Sequence, residues 1–266
     1  RHWNCGTLCP LGAGWLARRD ASLARLVCRV LCIETERRGL VLVDTGLGLA
    51  DCHAPRARLS LGFRLTARPM LDPRQSAVER VRASGYDPSD VRHIVLTHLD
   101  PDHAGGLADF PHATVHVLRA EHEAAVGVAR PARRYRPAQW AHGVRWKTYE
   151  AVGEAWLGLP CVRDLQGLPP EILLVPTIGH SAGHAAVAVE TAQGWLLHAG
   201  DALYHRAELD GVDRAPWLLR AMARVVATDV VARDASVESV RRSRAAHGVE
   251  VVCSHDALLG TPLVAD

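Results

Sequence analysis

Four potential metal ligands lie within six residues of the chain: His98, Asp100, Asp102 and His103. They directly follow the apolar segment 91–97, which predicts a buried strand, and a loop at a strand end can turn its side chains into one cavity. Imidazole and carboxylate groups suit zinc, and a larger share of carboxylates favours harder ions such as iron or manganese. The alternative is an exposed polar loop in which one Asp caps a helix. The density of potential ligands favours a metal site.

Three more candidate ligands also come just after apolar segments. They are His180 after residues 171–176, Asp201 after residues 195–198, and His255 after residues 249–253. Because the loops at strand ends of a layered domain gather at one place, we expect these side chains to join the first four. The sequence therefore predicts one metal centre assembled from distant parts of the chain.

The elements that would position this centre are mostly strands. Residues 26–33 and 40–43 predict a β-hairpin, and strands and helices alternate or follow each other through the rest of the chain. Further strands are predicted over 91–97, 114–118, 171–176, 185–190, 195–198 and 249–253, and helices over 76–84, 119–126, from about 216, and over 236–246. Segments 47–75 and 127–168 lack clear periodicity and are predicted to be insertions that border the active site. The pattern favours an α/β layered domain with two sheets.

Composition excludes several classes of protein. The 266 residues are 48% hydrophobic and carry a formal net charge of +2, which is far from the basic balance of a dedicated nucleic-acid binder. The chain contains no apolar run of 18 residues, so we predict no membrane span. Seven Cys residues, an odd number, favour a reducing compartment over a disulfide framework, and we expect a cytoplasmic protein without a signal segment. A homodimer is one assembly that the sequence leaves open.

Together the motifs resemble the metallo-β-lactamase superfamily, whose usual pattern is His-x-His-x-Asp-His followed by Gly-His, Gly-Asp and a final His. The Asp44-Thr-Gly turn and the Thr-x-Gly-His-x-x-Gly-His pattern of residues 177–184 are also similar to this superfamily. The resemblance spans residues 26–256. It implies that residues 1–266 form a single α/β domain, a four-layer αββα sandwich.

The resemblance also implies two divalent metal ions. The first ion would be bound by His98, Asp100 and His180, the second by Asp102, His103 and His255, and Asp201 would bridge them. His184 and Asp44 would hold inner ligands in position, although a plain turn-forming role is equally open for Asp44. Asp100 departs from the pattern, because most members carry His there. Zinc is the expected metal, with iron or manganese as alternatives at the site that contains Asp100.

Two such ions can share a water molecule and lower its pKa towards about 7, so that the resulting hydroxide attacks an electrophilic carbonyl or phosphorus. Asp102 could orient this nucleophile or relay its proton. Tyr204 lies three residues after Asp201, as in the lactonase branch, where a Tyr at that offset donates to the substrate carbonyl or oxyanion. The expected function is hydrolysis of a small lactone or ester. The alternatives are hydrolysis of a phosphodiester or phosphotriester, iron-dependent oxidoreduction suggested by Asp100, and a degenerate site that only binds.

A basic segment inside the second insertion admits two interpretations. It is either a lid that binds an anionic or amphipathic substrate, or an Arg-rich surface exposed to solvent. Its basic residues are Arg130, Arg133, Arg134, Arg136, Arg145 and Lys147, and Tyr135, Trp140 and Trp146 lie among them. No substrate-binding residue can be assigned from the sequence.

Overall fold

The predicted hairpin is present in the computed structural model, which describes residues 1–18, 20–129, 131–211, 214–260 and 262–264. Its two strands pair antiparallel, with Leu31 opposite Val43 and Thr35 opposite Gly39. The strands are β1 (His2–Leu8), β2 (Leu26–Thr35), β3 (Gly39–Val43), β4 (Val91–Val95), β5 (Thr114–Leu118), β6 (Arg145–Tyr149), β7 (Ala155–Trp156), β8 (Leu159–Pro160), β9 (Ile172–Pro176), β10 (Ala185–Thr191), β11 (Gly194–His198) and β12 (Glu250–Val252).

The strands form two main sheets. The first has the order β1-β2-β3-β4-β5-β6 and the second β12-β11-β10-β9, while β7 and β8 form a small separate pair. In the first sheet β3, β4, β5 and β6 run parallel, and in the second β11 and β12 run parallel. Parallel strands end at the same sheet edge, so the loops that follow β3, β4, β11 and β12 can approach one another.

The described part of the chain also contains nine α-helices. They are α1 (Ala13–Leu16), α2 (Leu49–His53), α3 (Pro55–Arg58), α4 (Leu61–Thr66), α5 (Ala77–Ala83), α6 (Pro101–Ala104), α7 (Arg119–Ala125), α8 (Trp217–Val226) and α9 (Val230–His247). Short 3-10 helices cover Ala21–Ala24, Pro73–Gln75, Pro88–Asp90, Gly105–Asp109, Pro137–Gln139 and Arg206–Leu209. None of the described helices has the length and apolarity needed to cross a lipid bilayer.

Three buried apolar layers hold the sheets and helices together. Side chains such as Val41 from the first sheet and Leu174 from the second pack between the two sheets. On the outer face of the first sheet, Val78 of α5 joins the core, and Val237 and Val240 of α9 do the same on the second sheet. This helix–sheet–sheet–helix stacking is the predicted four-layer αββα sandwich.

Four strands, β1, β6, β7 and β8, and several helices differ from the predictions. β1 was not predicted, because its sequence does not alternate and its register shifts between Asn4 and Thr7 where it pairs with β2. Segment 127–168 is not an insertion throughout, because β6 completes the first sheet beside β5. Segment 47–75 contains the short helices α2, α3 and α4 where at most one helical piece was predicted.

Candidate metal centre

The side chains predicted as metal ligands lie together at the ends of β4, β9, β11 and β12. The Nε2 atom of His180 is 3.2 Å from Oδ2 of Asp100, and the Nε2 atoms of His103 and His255 are 3.4 and 3.2 Å from Oδ1 of Asp201. The residues brought together are His98, Asp100, Asp102, His103, His180, Asp201 and His255. The fold thus places in one cluster residues that are up to 157 positions apart (98 to 255) in the sequence.

The approach of Asp201 depends on the preceding glycine. Gly200 has a φ of +55°, and a Cβ atom there would lie 2.6 Å from Nε2 of His184. The backbone N–H of Asp201 donates to that same nitrogen at 3.0 Å, while Nδ1 of His184 donates to the carbonyl of Thr177 at 2.9 Å. His184 therefore supports the centre by holding the backbone of Asp201 in position.

Asp44 holds His103 in place. It has a φ of +59°, and its carboxylate accepts hydrogen bonds from the Thr97 backbone N–H at 2.8 Å and from Nδ1 of His103 at 2.8 Å. Burial acts to raise the pKa of Asp44, but the positive charge of His103 and its hydrogen bond hold that pKa below its usual value. The ionised carboxylate fixes the imidazole so that its Nε2 faces Asp201.

Three buried atoms at the centre have no hydrogen-bond partner within the described part of the chain: Nε2 of His98, Nε2 of His103 and Oδ1 of Asp201. They lie within 4.8 Å of one another, and we call these three residues the orphan cluster. Buried polar atoms are normally paired, so an unpaired group of two imidazoles and a carboxylate needs an explanation. A divalent metal ion satisfies all three atoms at once, and their chemistry is that of zinc ligands.

His255 faces the same carboxylate from the other side. Its Nδ1 donates to the carbonyl of Val27 at 2.8 Å, and its Nε2 lies 3.7 Å from Oδ2 of Asp102. Burial acts to lower the pKa of His255, but the Asp201 carboxylate outweighs burial and raises it. These residues therefore attract positive charge to the space between the imidazoles and Asp201, either as protons or as a metal ion.

The sulfur of Cys28 lies close to the same space, within 4.8 Å of a carboxylate oxygen of Asp102 and a ring nitrogen of His255.

On the opposite side, a guanidinium group reaches the predicted ligands. Nε of Arg134 donates to Oδ1 of Asp100 at 2.8 Å, and its Nη2 lies 2.6 Å from both Oδ2 of Asp100 and Nε2 of His180. We call Asp100, His180 and Arg134 the arginine cluster. Burial acts to raise the pKa of Asp100, but Arg134 holds it well below its usual value. The side chains of Asp100 and His180 are thus already paired with a cation of the chain itself.

Tyr204 lies between the two clusters. Its hydroxyl is 3.2 Å from Nδ1 of His180, and its ring stacks on that of His255 with centroids 5.4 Å apart and planes 14° apart. The residue is buried, and burial together with the neighbouring carboxylates raises the pKa of the phenol well above its usual value. Its backbone N–H donates to Glu208 at 2.7 Å. The phenol is therefore a fixed, protonated hydrogen-bond donor.

Sequence reasoning missed Glu121 and left the role of Arg134 unassigned. Glu121 is fully buried on α7, accepts from the Leu99 backbone N–H at 3.0 Å, and accepts from the Ser181 hydroxyl at 2.7 Å and the Gly183 N–H at 3.0 Å. It ties the loop after β4 to the loop after β9. The one signal for Arg134 was indirect, because a carboxylate at Asp100 in place of an imidazole calls for a cationic partner.

The basic segment fits neither of its two interpretations as a whole. Arg134 turns into the centre, Arg133 is exposed, and Arg136 donates to the Arg58 carbonyl at 3.2 Å. Arg130 lies outside the described residues. The segment borders the centre through Arg134 and is not a continuous lid of basic side chains.

The sequence model of the metallo-beta-lactamase superfamily matches residues 25–235. The chain belongs to the metallo-β-lactamase superfamily. It is 42% identical over 260 residues to a probable metallo-hydrolase (Rv2300c) of Mycobacterium tuberculosis, across 96% of this chain and 79% of that relative. It is 30% identical over 229 residues to the N-acyl homoserine lactonase AttM of Rhizobium radiobacter, across 84% of this chain and 79% of the relative.

Solved structures confirm the superfamily fold. A Bacillus thuringiensis AiiA variant with N-decanoyl-L-homoserine bound at its active site has a TM-score of 0.72 at 23% identity, and the match covers 96% of this chain and 92% of that one. A quorum-quenching N-acyl homoserine lactone lactonase has a TM-score of 0.69 at 23% identity, with 96% and 90% covered. The predicted superfamily and its αββα sandwich are therefore confirmed. The chain is a hydrolase of a superfamily that binds divalent metals, and its His/Asp cluster has the chemistry for such ions.

Proposed function

We propose that this superfamily member is a zinc-dependent lactonase that opens a small lactone or a similar ester. The observation that carries the proposal is Tyr204, a buried phenol fixed by stacking on His255 and by its contact with His180. The 30% identity to lactonases named for N-acyl homoserine lactones supports this substrate class.

A bound zinc ion would supply Lewis-acid chemistry and would lower the pKa of a water molecule towards neutrality. The ligands that would hold it are His98, His103 and Asp201, with His255 and Asp102 at the rim of the same space. Asp44 and His184 keep His103 and Asp201 aimed at that space. The ligand roles remain proposals that this arrangement supports.

The chain's own residues would act on the carbonyl group of the substrate. The Tyr204 hydroxyl accepts from Nδ1–H of His180, so its own proton is free to be donated to the oxygen on which negative charge develops. Since the phenol is held before the substrate arrives, little reorganisation is needed when the charge appears. Asp102 is the proposed proton relay, because its carboxylate lies at the rim of the same space, with Oδ2 3.7 Å from Nε2 of His255.

A substrate panel tests this function. Zinc-loaded protein should hydrolyse N-acyl homoserine lactones and other five-membered lactones faster than aryl phosphodiesters and phosphotriesters. Tyr204→Phe should lower kcat on lactones about 100-fold, the loss typical of removing one oxyanion donor, with a smaller change in KM. Tyr86→Phe is the matched control, because Tyr86 packs on the outer face of the first sheet. A zinc-loaded protein that turns over phosphate esters but no lactone would contradict the proposal.

A further inference from the structure

The guanidinium of Arg134 is fully used by partners within the protein. Its Nε and Nη2 groups donate to the two oxygens of Asp100 and to Nε2 of His180, as described above. Its Nη1 donates to the His180 carbonyl at 2.6 Å, and lies 3.1 Å from the Val226 carbonyl and 3.2 Å from the Thr228 hydroxyl. A guanidinium has five N–H groups, and these acceptors account for all of them. Arg134 thus has no N–H left with which to bind a substrate anion.

These acceptors are the atoms that the sequence predicts as ligands of the first metal ion. Oδ2 of Asp100 lies 3.4 Å from Nε2 of His98 and 3.2 Å from Nε2 of His180. Two ligands of one zinc ion lie about 3.3–3.6 Å apart, because the bonds are about 2.0–2.2 Å long at near-tetrahedral angles. The spacing therefore suits an ion, but Nη2 of Arg134 already takes the one lone pair of Nε2 of His180 and one of the lone pairs on Oδ2 of Asp100.

The orphan cluster has the opposite property. Its three atoms without a hydrogen-bond partner in the described part of the chain belong to His98, His103 and Asp201. The group that faces Oδ1 of Asp201 from the other side is the imidazole of His255 at 3.2 Å, and not a guanidinium. The geometry points to a centre that binds one metal ion, in the orphan cluster, with the Arg134 guanidinium taking the place of the second ion. The inference deepens the proposed function and rests on its metal-dependent chemistry.

The residue at position 100 fits this arrangement. A carboxylate can accept two parallel N–H groups from one guanidinium, which an imidazole cannot do. Asp100 and Arg134 therefore form a matched pair, and Arg is the residue suited to this role because its planar group stays charged. Tyr135, the next residue, is buried and holds this part of the chain against the core of the first sheet, with its ring centroid 5.8 Å from the guanidinium carbon.

Metal counting tests the inference on the wild-type protein. Protein saturated with zinc and then freed of excess ion by gel filtration should hold one zinc per chain by mass spectrometry of the digested sample. Titration of metal-free protein with Co²⁺ should give a visible absorption band that saturates at one equivalent. Two tightly held ions, or none, would overturn the inference.

A double variant tests whether Arg134 is what excludes the second ion. Asp100→His with Arg134→Ala restores the ligand pattern of most superfamily members and should raise the zinc content to two per chain. Arg133→Ala, an exposed neighbour, is the matched control and should keep one. A folded double variant, judged by circular dichroism, that still holds one ion would overturn the role of Arg134. The metal count uses no substrate, so a wild-type protein with one zinc and no lactonase activity would refute the proposed function alone.

Discussion

The orphan cluster and the arginine cluster contain the same kinds of side chain and differ in what neutralises them. In the orphan cluster, Nε2 of His103 and Oδ1 of Asp201 face each other at 3.4 Å without a hydrogen-bond partner in the described residues. In the arginine cluster, Asp100 and His180 are paired with Arg134. Ligand type and spacing thus predict that a cation is held, whereas the surrounding chain decides whether that cation is a metal ion or a side chain.

The two clusters also differ in how they are prepared for binding. His103 is oriented by the buried carboxylate of Asp44, which leaves Nε2 facing Asp201 and the proposed metal position. Loss of such an outer partner typically lowers metal affinity or activity by about 10–100-fold. His180 instead contacts Tyr204 through Nδ1 and Arg134 through Nε2, so both of its nitrogens are already used.

The largest expected effect separates two histidines, one in each cluster. His103→Ala removes a proposed ligand atom of the orphan cluster and should lower zinc affinity more than about 100-fold, beyond the range for outer partners. His180→Ala should leave the zinc content unchanged, because Arg134 already uses Nε2 of His180. Competition with a chromophoric chelator measures both affinities. Equal losses in the two variants would erase the difference between the clusters.

Much of the fold and of the centre could be predicted because it depends on local pattern. Apolar strands followed by His180, Asp201 or His255 place ligands at strand ends, and this rule needs no knowledge of the tertiary structure. Arg134 could not be assigned, because it lies 34 positions after Asp100 in a segment without periodicity, and only the fold shows that it turns inward while Arg133 faces solvent. Composition cannot distinguish those two arginines.

The missed elements have a similar cause. β1 became a strand by pairing with β2 despite a sequence that does not alternate, and β6 is a partly exposed strand at the sheet edge beside β5. Glu121 resembles any helical surface Glu in the sequence. Its burial follows from the tertiary packing of α7 against the two ligand loops.

A smaller effect concerns Glu121, the residue that ties the loop after β4 to the loop after β9. Glu121→Gln keeps the size of the side chain but replaces one accepting oxygen, so the Ser181 hydroxyl and Gly183 N–H lose an acceptor. Unfolding in urea should show a loss of about 1–3 kcal/mol, the cost of leaving buried polar groups unpaired. Glu123→Gln, at an exposed position of the same helix, is the control and should change stability little. Equal stability of the two variants would show that Glu121 does not couple the two loops.

The smallest expected effect concerns Cys28, whose sulfur lies close to Asp102 and His255. Burial, followed by the Asp102 carboxylate, raises the pKa of this thiol well above its usual value. Cys28 packs with apolar residues such as Leu23, as a small buried hydrophobic side chain does, and we expect it to act as one.

Cys28→Ala should therefore cost about 1 kcal/mol of stability, as for a small buried group, and leave zinc affinity unchanged. Cys32→Ala, a buried cysteine on the same strand, is the matched control, and chelator competition and urea unfolding measure the two quantities. A tenfold fall in zinc affinity for Cys28→Ala alone would make this sulfur a ligand. The ion would then lie nearer to Asp102 and His255 than to His98, and the orphan cluster would no longer be the metal site. The pairing of Asp100 and His180 with Arg134 would be unaffected.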